Sequence, residues 1–346
     1  MKIKLSHKFE DIICKENLLL AWQEFLIGKK SKLDVQKFEF NLADNILSLH
    51  EDLANKTYKH GDYYGFYISD PKRRHIHKAS VRDRLLHHAV YRILYPFFDK
   101  TFISDSFSCR LDKGTHKAIN RFRKMAYIVS KNHTKTCWVL KCDIKKFFAS
   151  INHRVLLNIL AEHITDKDIF WLLENIIESF SVNHGIASSA SAPSRNDGDI
   201  GLPLGNLTSQ LFSNIYMNRF DQYIKHKLKA KYYIRYADDF VILSRNKEWL
   251  ENLIPQIQDF LQQELRLSIH PNKVFIKTYA SGVDFLGWNN FCDYRILRKK
   301  TKDRMIKRIK TNPTNETLQS YLGLLGHGNT KKTREELLMR YWLWRN

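Results

Sequence analysis

Apolar residues recur at helical spacing over residues 8–55. Trp22, Phe25 and Leu26 form one cluster, and Phe38, Leu42, Ile46, Leu49 and Leu53 form another. Residues three and four apart share one face of a helix, so these clusters predict amphipathic helices on either side of the basic loop GKKSK at 28–32. The pattern then changes. YYGFYISDP, followed by KRR and HIHKAS, predicts a β-hairpin over about 63–78 with a charged tip. Leu85, Ala89, Ile93 and Leu94 return to helical spacing over 81–98. In CWVLKCDIKKFF (137–148), Trp138, Leu140 and Cys142 alternate with Val139, Lys141 and Asp143. Period-2 alternation predicts a strand with Asp143 on the face opposite Trp138.

Further along, 153–180 predicts a helical hairpin, and SVNHGIASSASAPSRNDGDIG (181–201) is the most loop-like stretch. Leu211, Phe212, Ile215, Tyr216, Phe220 and Ile224 predict a long amphipathic helix over 207–228. YYIRYADDFVIL (232–243) predicts two short strands around a tight turn. A helix at about 247–264, a turn-and-strand region at 267–291 and a basic helical tail complete the chain. From Trp138 onward the order is β–α–β-turn-β–α–β, a split βαβ arrangement with an antiparallel sheet. That order predicts Asp143 and Asp238–Asp239 on adjacent central strands. Internal repeats are absent from the sequence.

Length and charge sharpen this α+β picture. A chain of 346 residues is too long for one compact core and favours two or three subdomains. Lys and Arg number 57 against 36 Asp and Glu, a formal charge of +21, with 13% aromatic residues. That surplus points to a polyanion partner rather than a membrane surface, with strongly salt-dependent phosphate contacts. No apolar run reaches the ~18–20 residues that span a bilayer, and the first residues do not read as a signal peptide. A cytoplasmic protein without a membrane partner is expected. The five cysteines are scattered and form no CxxC pair, and His75, His77, His87 and His88 lack helix-borne zinc spacing, so reduced thiols and no zinc site are expected.

The aspartates carry the candidate chemistry. Asp238 and Asp239 sit at a turn flanked by Ile234, Tyr236, Phe240, Val241 and Ile242. Adjacent carboxylates in such surroundings repel each other and resist ionisation, and a divalent cation removes the conflict. An isolated Asp-Asp pair would read as a solvated turn. Flanked by two apolar strands, and with Asp143 on a strand upstream, the pair reads as a metal site. Two magnesium ions ~3.5–4 Å apart suit in-line nucleotidyl transfer, and magnesium needs few protein oxygens.

YADDF (236–240), KCDIKKFFASI (141–151) and LPLGNLTSQ (202–210) resemble three core motifs of reverse transcriptases. KRRHI (72–76), VRDR (81–84), SFSCRLDKGTHKA (106–118), NKVFI (272–276) and DFLGW (284–288) continue the resemblance in order from about residue 20 to 290. The resemblance implies a right-hand polymerase. Its N-terminal helices and fingers would span 1–135, its palm 136–292 with a helical insertion at about 153–200, and its short basic helical thumb 293–346. It implies that Asp143 and Asp238 bridge two Mg²⁺ ions (Mn²⁺ a possible substitute), that Asp239 assists, and that the Ile144 carbonyl adds a ligand. Lys72 and Arg74 would hold the triphosphate of a dNTP, and Phe148 would exclude a ribose 2′-hydroxyl. Gly205 would let backbone approach the nucleotide, and Lys273 would protonate departing pyrophosphate. Arg110 would stabilise the fingers or touch template, and Leu286, Gly287 and Trp288 would position the primer end. Residues 295–310 carry nine Lys and Arg and one Asp. Arg298, Lys299 and Lys300 among them would contact the template RNA–DNA primer duplex.

One segment departs from the common Gln-Gly-x-x-x-Ser-Pro pattern. Here Leu204 replaces the glutamine and Gln210 the proline. This version, together with DKGTH (112–116), resembles the enzymes of diversity-generating retroelements. Those enzymes copy a template-repeat RNA with frequent errors at adenines. The resemblance further implies a small basic helical accessory protein that forms an oligomer. The alternatives are another short bacterial reverse transcriptase, retron-like or acting in phage defence, and a non-catalytic RNA-binding protein of the same fold.

Overall fold

A computed structural model describes residues 3–69, 73–181 and 199–345. Most of the predicted loop stretch at 181–201 therefore lies outside the described residues. The chain opens with α1 (Phe9–Ile13), α2 (Lys15–Leu26), α3 (Leu33–Phe40) and α4 (Leu42–Ala54). The apolar run from Phe38 to Leu53 is thus shared by two helices that meet at Asn41. The predicted hairpin follows as β1 (Tyr64–Ile68) and β2 (Arg74–Lys78), antiparallel with Phe66 opposite Ile76. Next comes α5 (Val81–Asp99), whose N-terminus is capped by the Ser80 hydroxyl accepting from the Asp83 N–H at 3.1 Å. A further helix, α6 (Thr115–Val129), was not among the predicted elements. Its buried Ala118, Phe122, Met125, Ala126 and Val129 nevertheless have helical spacing.

The remaining elements are β3 (Trp138–Asp143), the single turn α7 (Phe147–Ser150), α8 (His153–Ala161), α9 (Lys167–Glu178) and α10 (Leu207–Gln222). A π-helical turn (Tyr223–Lys227) extends α10. After it come β4 (Tyr233–Tyr236), β5 (Asp239–Ser244), α11 (Lys247–Leu265), β6 (Phe275–Thr278), β7 (Val283–Phe285), β8 (Trp288–Asn290) and β9 (Arg295–Leu297). Three helices end the chain: α12 (Lys299–Thr311), α13 (Asn315–Leu325) and α14 (Lys331–Arg345).

Two compact units alternate along the sequence. One comprises Met1–Ser104, Ile144–Lys227 and Ile257–Ile269, the other Asp105–Asp143, Leu228–Gln256 and His270–Asn346. Their boundaries do not coincide with the sequential ones expected at 135 and 292. The chain leaves one unit for the other directly after β3 and again within α11.

The first unit is built on α5, which packs against α2 and α10. Leu85, Leu86, Ala89, Val90 and Leu94 are fully buried there. Asp83 is also buried, and its carboxylate is satisfied by the Tyr58 hydroxyl at 2.7 Å, the Ser80 hydroxyl at 2.6 Å and the Gly61 N–H at 3.3 Å. These bonds fix the segment entering the β1–β2 hairpin to the start of α5.

The second unit holds the antiparallel sheet β4-β5-β3-β6. One face of it carries Val139, Val241, Leu243 and Ile234 against Phe122 of α6 and Phe285 of β7. The small sheet β7-β8-β9 leads to α12–α14, which close around Trp288, Met305, Ile309, Leu337 and Tyr341. Phe122 contacts both Phe285 and Tyr279, with ring centroids 5.2 and 5.5 Å away. Phe122→Ala is expected to cost about 3–5 kcal/mol, the usual range for a buried phenylalanine. Urea unfolding followed by tryptophan fluorescence checks this through a lowered midpoint.

Candidate active site

Antiparallel pairing of β3 with β5 sets Asp143 directly opposite Asp239. Residues opposite each other project to the same face of a sheet, so the two carboxylates share one end of one face. Val139 and Lys141 precede Asp143 on that face, and Val241 and Leu243 follow Asp239. The register Tyr236↔Asp239 leaves Ala237 and Asp238 as a two-residue loop. Ala237 takes φ +55°. A positive φ at the first central position is where a type II′ turn usually has glycine, and alanine there stores about 1–3 kcal/mol of strain.

Lysines attend both opposed carboxylates. Lys273 Nζ donates to Asp143 Oδ1 at 2.8 Å. Lys141 Nζ lies 3.3 Å from Asp239 Oδ2 and donates to the Asp284 carbonyl at 2.9 Å. Oδ1 of Asp239 is sealed from solvent and has no hydrogen-bond partner among the described residues. Burial pushes the Asp239 carboxyl up to about 7; the Lys141 ammonium opposes this, and the charges of Asp143 and Asp238 add to it.

Among the described residues no three His, Cys, Asp or Glu side chains are already gathered around one point. The donor set nevertheless fits a hard divalent cation. It offers carboxylate oxygens, one of them buried and unpartnered, and a cation would offset the desolvation and repulsion that now hold the Asp239 carboxyl up.

Two charged residues behind this arrangement were not among the predicted site residues. Lys141 is one. Arg235 is the other, fully buried in β4 between Ile234 and Tyr236. Its Nη1 donates to the Ala237 carbonyl at 3.2 Å and its Nη2 to the Ser106 hydroxyl at 3.1 Å. The Arg235 N–H donates to the Asp105 carbonyl, and its carbonyl accepts from the Phe107 N–H, both at 3.0 Å. Arg235 thus clamps the strained turn from behind. The signal for both residues is a lone cation inside an otherwise apolar strand.

The predicted nucleotide-contacting residues that are described lie in the first unit; Lys72 lies outside the described residues. Arg74 is exposed on β2. The His77 N–H donates to the Leu204 carbonyl and the Asn206 side-chain amide donates to the His77 carbonyl, each at 3.0 Å. Segment 204–206 is therefore tied to the strand that carries Arg74. Gly205 takes φ +109°, and a Cβ added to it would stand 3.0 Å from Ile76 Cγ2. Glycine is needed there both for backbone conformation and for space. Leu204 and Gln210 are half-buried. Phe147 is buried, while Phe148 is half-buried and its carbonyl accepts from the Leu202 N–H at 2.8 Å. Ile144 is buried and bridges Ile269.

The primer-side candidates lie in the second unit. Leu286 and Gly287, at φ +51° and +86°, form the two-residue loop between β7 and β8, as a type I′ turn requires. The Gly287 carbonyl accepts from the Arg298 N–H at 3.1 Å, and the Arg298 guanidinium pairs with the Asp284 carboxylate. Trp288 is buried among the α12–α14 side chains, so its ring anchors the turn rather than lining a surface. Arg110 donates to the Ser106 carbonyl at 3.1 Å, and Lys299 and Lys300 are exposed at the start of α12.

In the metal-free fold Asp239 keeps its proton up to about pH 7, whereas an unfolded aspartate releases it near 4. Stability from this group is present at low pH and is lost as pH rises from about 4 to about 7. Asp239→Asn removes that loss. In a chelator its melting temperature at pH 8 is expected to exceed the wild type's. Added Mg²⁺ is expected to raise only the wild type's melting temperature, as thermal-shift titration reads out. Arg235→Met leaves the Ala237 carbonyl without its guanidinium donor and is expected to destabilise by about 1–3 kcal/mol. Displacement of the turn is expected to lower kcat by up to about 10²-fold with little change in KM for dNTP, as steady-state kinetics would show.

The family profile described as reverse transcriptase (RNA-dependent DNA polymerase) matches residues 59–290. Protein YkfC of Escherichia coli (strain K12) is 24% identical over 306 residues, which is 79% of this chain and 76% of that protein. The group II intron-encoded protein LtrA of Lactococcus lactis subsp. cremoris is 21% identical over 346 residues, covering 81% of this chain and 54% of LtrA. A putative COX1/OXI3 intron 2 protein of Saccharomyces cerevisiae is 25% identical over 240 residues, 53% of this chain and 27% of that protein. The chain thus spans about three quarters of YkfC, but about half and about a quarter of the two intron proteins.

Proposed function

The chain belongs to the reverse transcriptase (RNA-dependent DNA polymerase) family, and we propose that Asp143, Asp238 and Asp239 hold the divalent ions of its nucleotidyl transfer. The observation that carries this is Asp143 opposite Asp239, whose buried Oδ1 has no hydrogen-bond partner among the described residues. When bound, Mg²⁺ supplies Lewis-acid activation of the primer 3′-hydroxyl and charge neutralisation at the pyrophosphate. Lys141 and Lys273 hold the carboxylates in place in the metal-free protein, and Lys273 is the candidate proton donor to the leaving group. Arg74 serves the triphosphate and Phe148 the ribose discrimination. Leu286 and Gly287 present the primer end, with Arg298, Lys299 and Lys300 on the duplex backbone. The test is extension of a DNA primer on an RNA template with dNTPs and Mg²⁺. Wild type is expected to extend, and Asp238→Asn is expected to fail while still binding the duplex. Equal extension by both would overturn the assignment.

The finer reading is a diversity-generating retroelement enzyme that makes cDNA from a template-repeat RNA and works with a small basic accessory protein. Leu204 in place of glutamine supports it. An amide can hydrogen-bond the nascent pair, whereas leucine offers only shape, a difference on the order of 1 kcal/mol in discrimination. Leu204→Gln is expected to lower misincorporation opposite template adenine by several-fold, as sequencing of extension products would show. An unchanged error spectrum would sink this reading. The intron-encoded relatives favour a second reading, a group II intron-type enzyme. Flanking DNA that carries a near-duplicate repeat pair differing at adenines would favour the first reading, and its absence would count against it.

A further inference from the structure

Far from the aspartates, the second unit contains a groove that the polymerase reading does not use. β5 begins at Asp239 and ends at Ser244, so its two ends lie about 17 Å apart. At the Ser244 end a groove of about 520 Å³ is walled by Tyr232 and Trp249 and ringed by Lys131, Lys229, Lys231 and Arg245. Among the described residues, no acidic residue lines it. All four cations are exposed, and they come from three separate segments: the loop after α6, the loop before β4 and the loop after β5. Among the described residues, Lys131, Lys229 and Arg245 have no carboxylate partner. The backbone presents the first two in a left-handed conformation, at φ +49° and +53°. The same groove includes the start of α11, where the Asn246 side chain caps the Trp249 N–H at 2.9 Å.

Lys131, Lys229 and Arg245 meet at one groove with no carboxylate partner among the described residues, an arrangement that an anionic ligand suits. Two half-buried rings in the same groove offer faces on which flat groups stack. Cations along a groove with aromatic platforms are the recurring chemistry of single-stranded nucleic-acid binding. The volume falls within the roughly 300–1,000 Å³ of sites that enclose a nucleotide-sized ligand. A protein partner is less suited, since interface centres are depleted of lysine and more apolar than this groove. We propose that this groove binds a single-stranded segment of RNA lying outside the copied stretch, one or two nucleotides at a time, with bases against Tyr232 and Trp249 and phosphates on the lysines and Arg245. It would hold the RNA to the enzyme while the template is drawn through the polymerase site.

The test compares two RNA template–DNA primer substrates with the same duplex. One has a five-nucleotide template overhang, and the other adds a 25-nucleotide oligouridylate tail, placed at either end in turn. The intact enzyme is expected to bind the tailed substrate at least tenfold more tightly. The triple variant Lys131→Ala/Lys229→Ala/Arg245→Ala is expected to lose that increment. The slope of log affinity against log salt on the tailed substrate should fall by about 2, the value for three phosphate contacts on a single strand. Affinity for the short substrate and its nucleotide incorporation should stay at the wild-type level, which separates this proposal from the polymerase assignment. Trp249→Ala should weaken tail binding and Trp249→Phe should keep it. Survival of the increment in the triple variant would overturn the proposal, as would equal weakening on both substrates. Displacement of the tail by polyglutamate as readily as by free oligouridylate would also overturn it, in favour of an acidic protein segment.

Discussion

Two carboxylates held face to face at the end of an apolar sheet are the constraint around which the second unit is organised. Asp143 and Asp239 are cross-strand neighbours on β3 and β5, where like charges oppose each other. The fold tolerates them through Lys273 on one and Lys141 on the other, with burial keeping Asp239 reluctant to ionise. Lys141 also binds the Asp284 carbonyl, and Arg298 pairs with the Asp284 carboxylate. The charge conflict is thereby linked to the β7–β8 turn that presents Leu286 and Gly287. On the other side, Arg235 ties the Ala237–Asp238 turn to segment 105–107. A site that stores repulsion without its ligand gains most when a divalent cation arrives, which is the property a metal-dependent polymerase needs.

Much of this was legible in the sequence because period is a direct record of burial. Alternation through Trp138–Asp143 marks the strand, and the split βαβ order puts Asp143 on a strand adjacent to the one at Asp238–Asp239. The tight turn within 232–243 is legible from its flanking strands, whereas the register alone shows that it comprises Ala237 and Asp238 and that Leu286–Gly287 forms a second such loop. Other features depend on partners distant in sequence. Lys141 and Arg235 look like ordinary lone charges in strands until the register shows what they face. The resemblance puts Trp288 in the segment that would position the primer end, but only the fold shows that α12–α14 bury its ring, because the small sheet brings it into their core. The break at Asn41 has neither glycine nor proline to announce it. In α6, Arg121, Arg123 and Lys124 separate the apolar positions, and the helix is evident chiefly from its packing on the sheet.

The basic surplus serves more than one purpose. Part of it lies on α12, where a sequence-indifferent row of Lys and Arg suits duplex backbone. Part of it rings the groove at the far end of β5, beside two aromatic rings and with no acid in the lining among the described residues. Lys141, Lys273 and Arg235 form a third group, which balances the opposed carboxylates or braces the turn beside them. Net charge alone predicted a polyanion partner, but only the fold separates cations that bind from cations that hold the protein together. In the first unit, Gly205 is fixed by Ile76 and by backbone strain, and Leu204 is fixed by its bond to His77. Side-chain chemistry at 204 can therefore change while the backbone path is kept.

Metal-directed cleavage tests the role of the aspartates most directly. With Fe²⁺ in place of Mg²⁺, and ascorbate and peroxide added, hydroxyl radicals cut the backbone next to the bound ion. Mass spectrometry of the fragments is expected to place the cuts around Asp143 and around Asp238–Asp239, with excess Mg²⁺ suppressing them and Asp143→Asn abolishing them. Cuts confined to other parts of the chain, or cuts at these positions that persist in Asp143→Asn, would contradict a metal site built on these carboxylates.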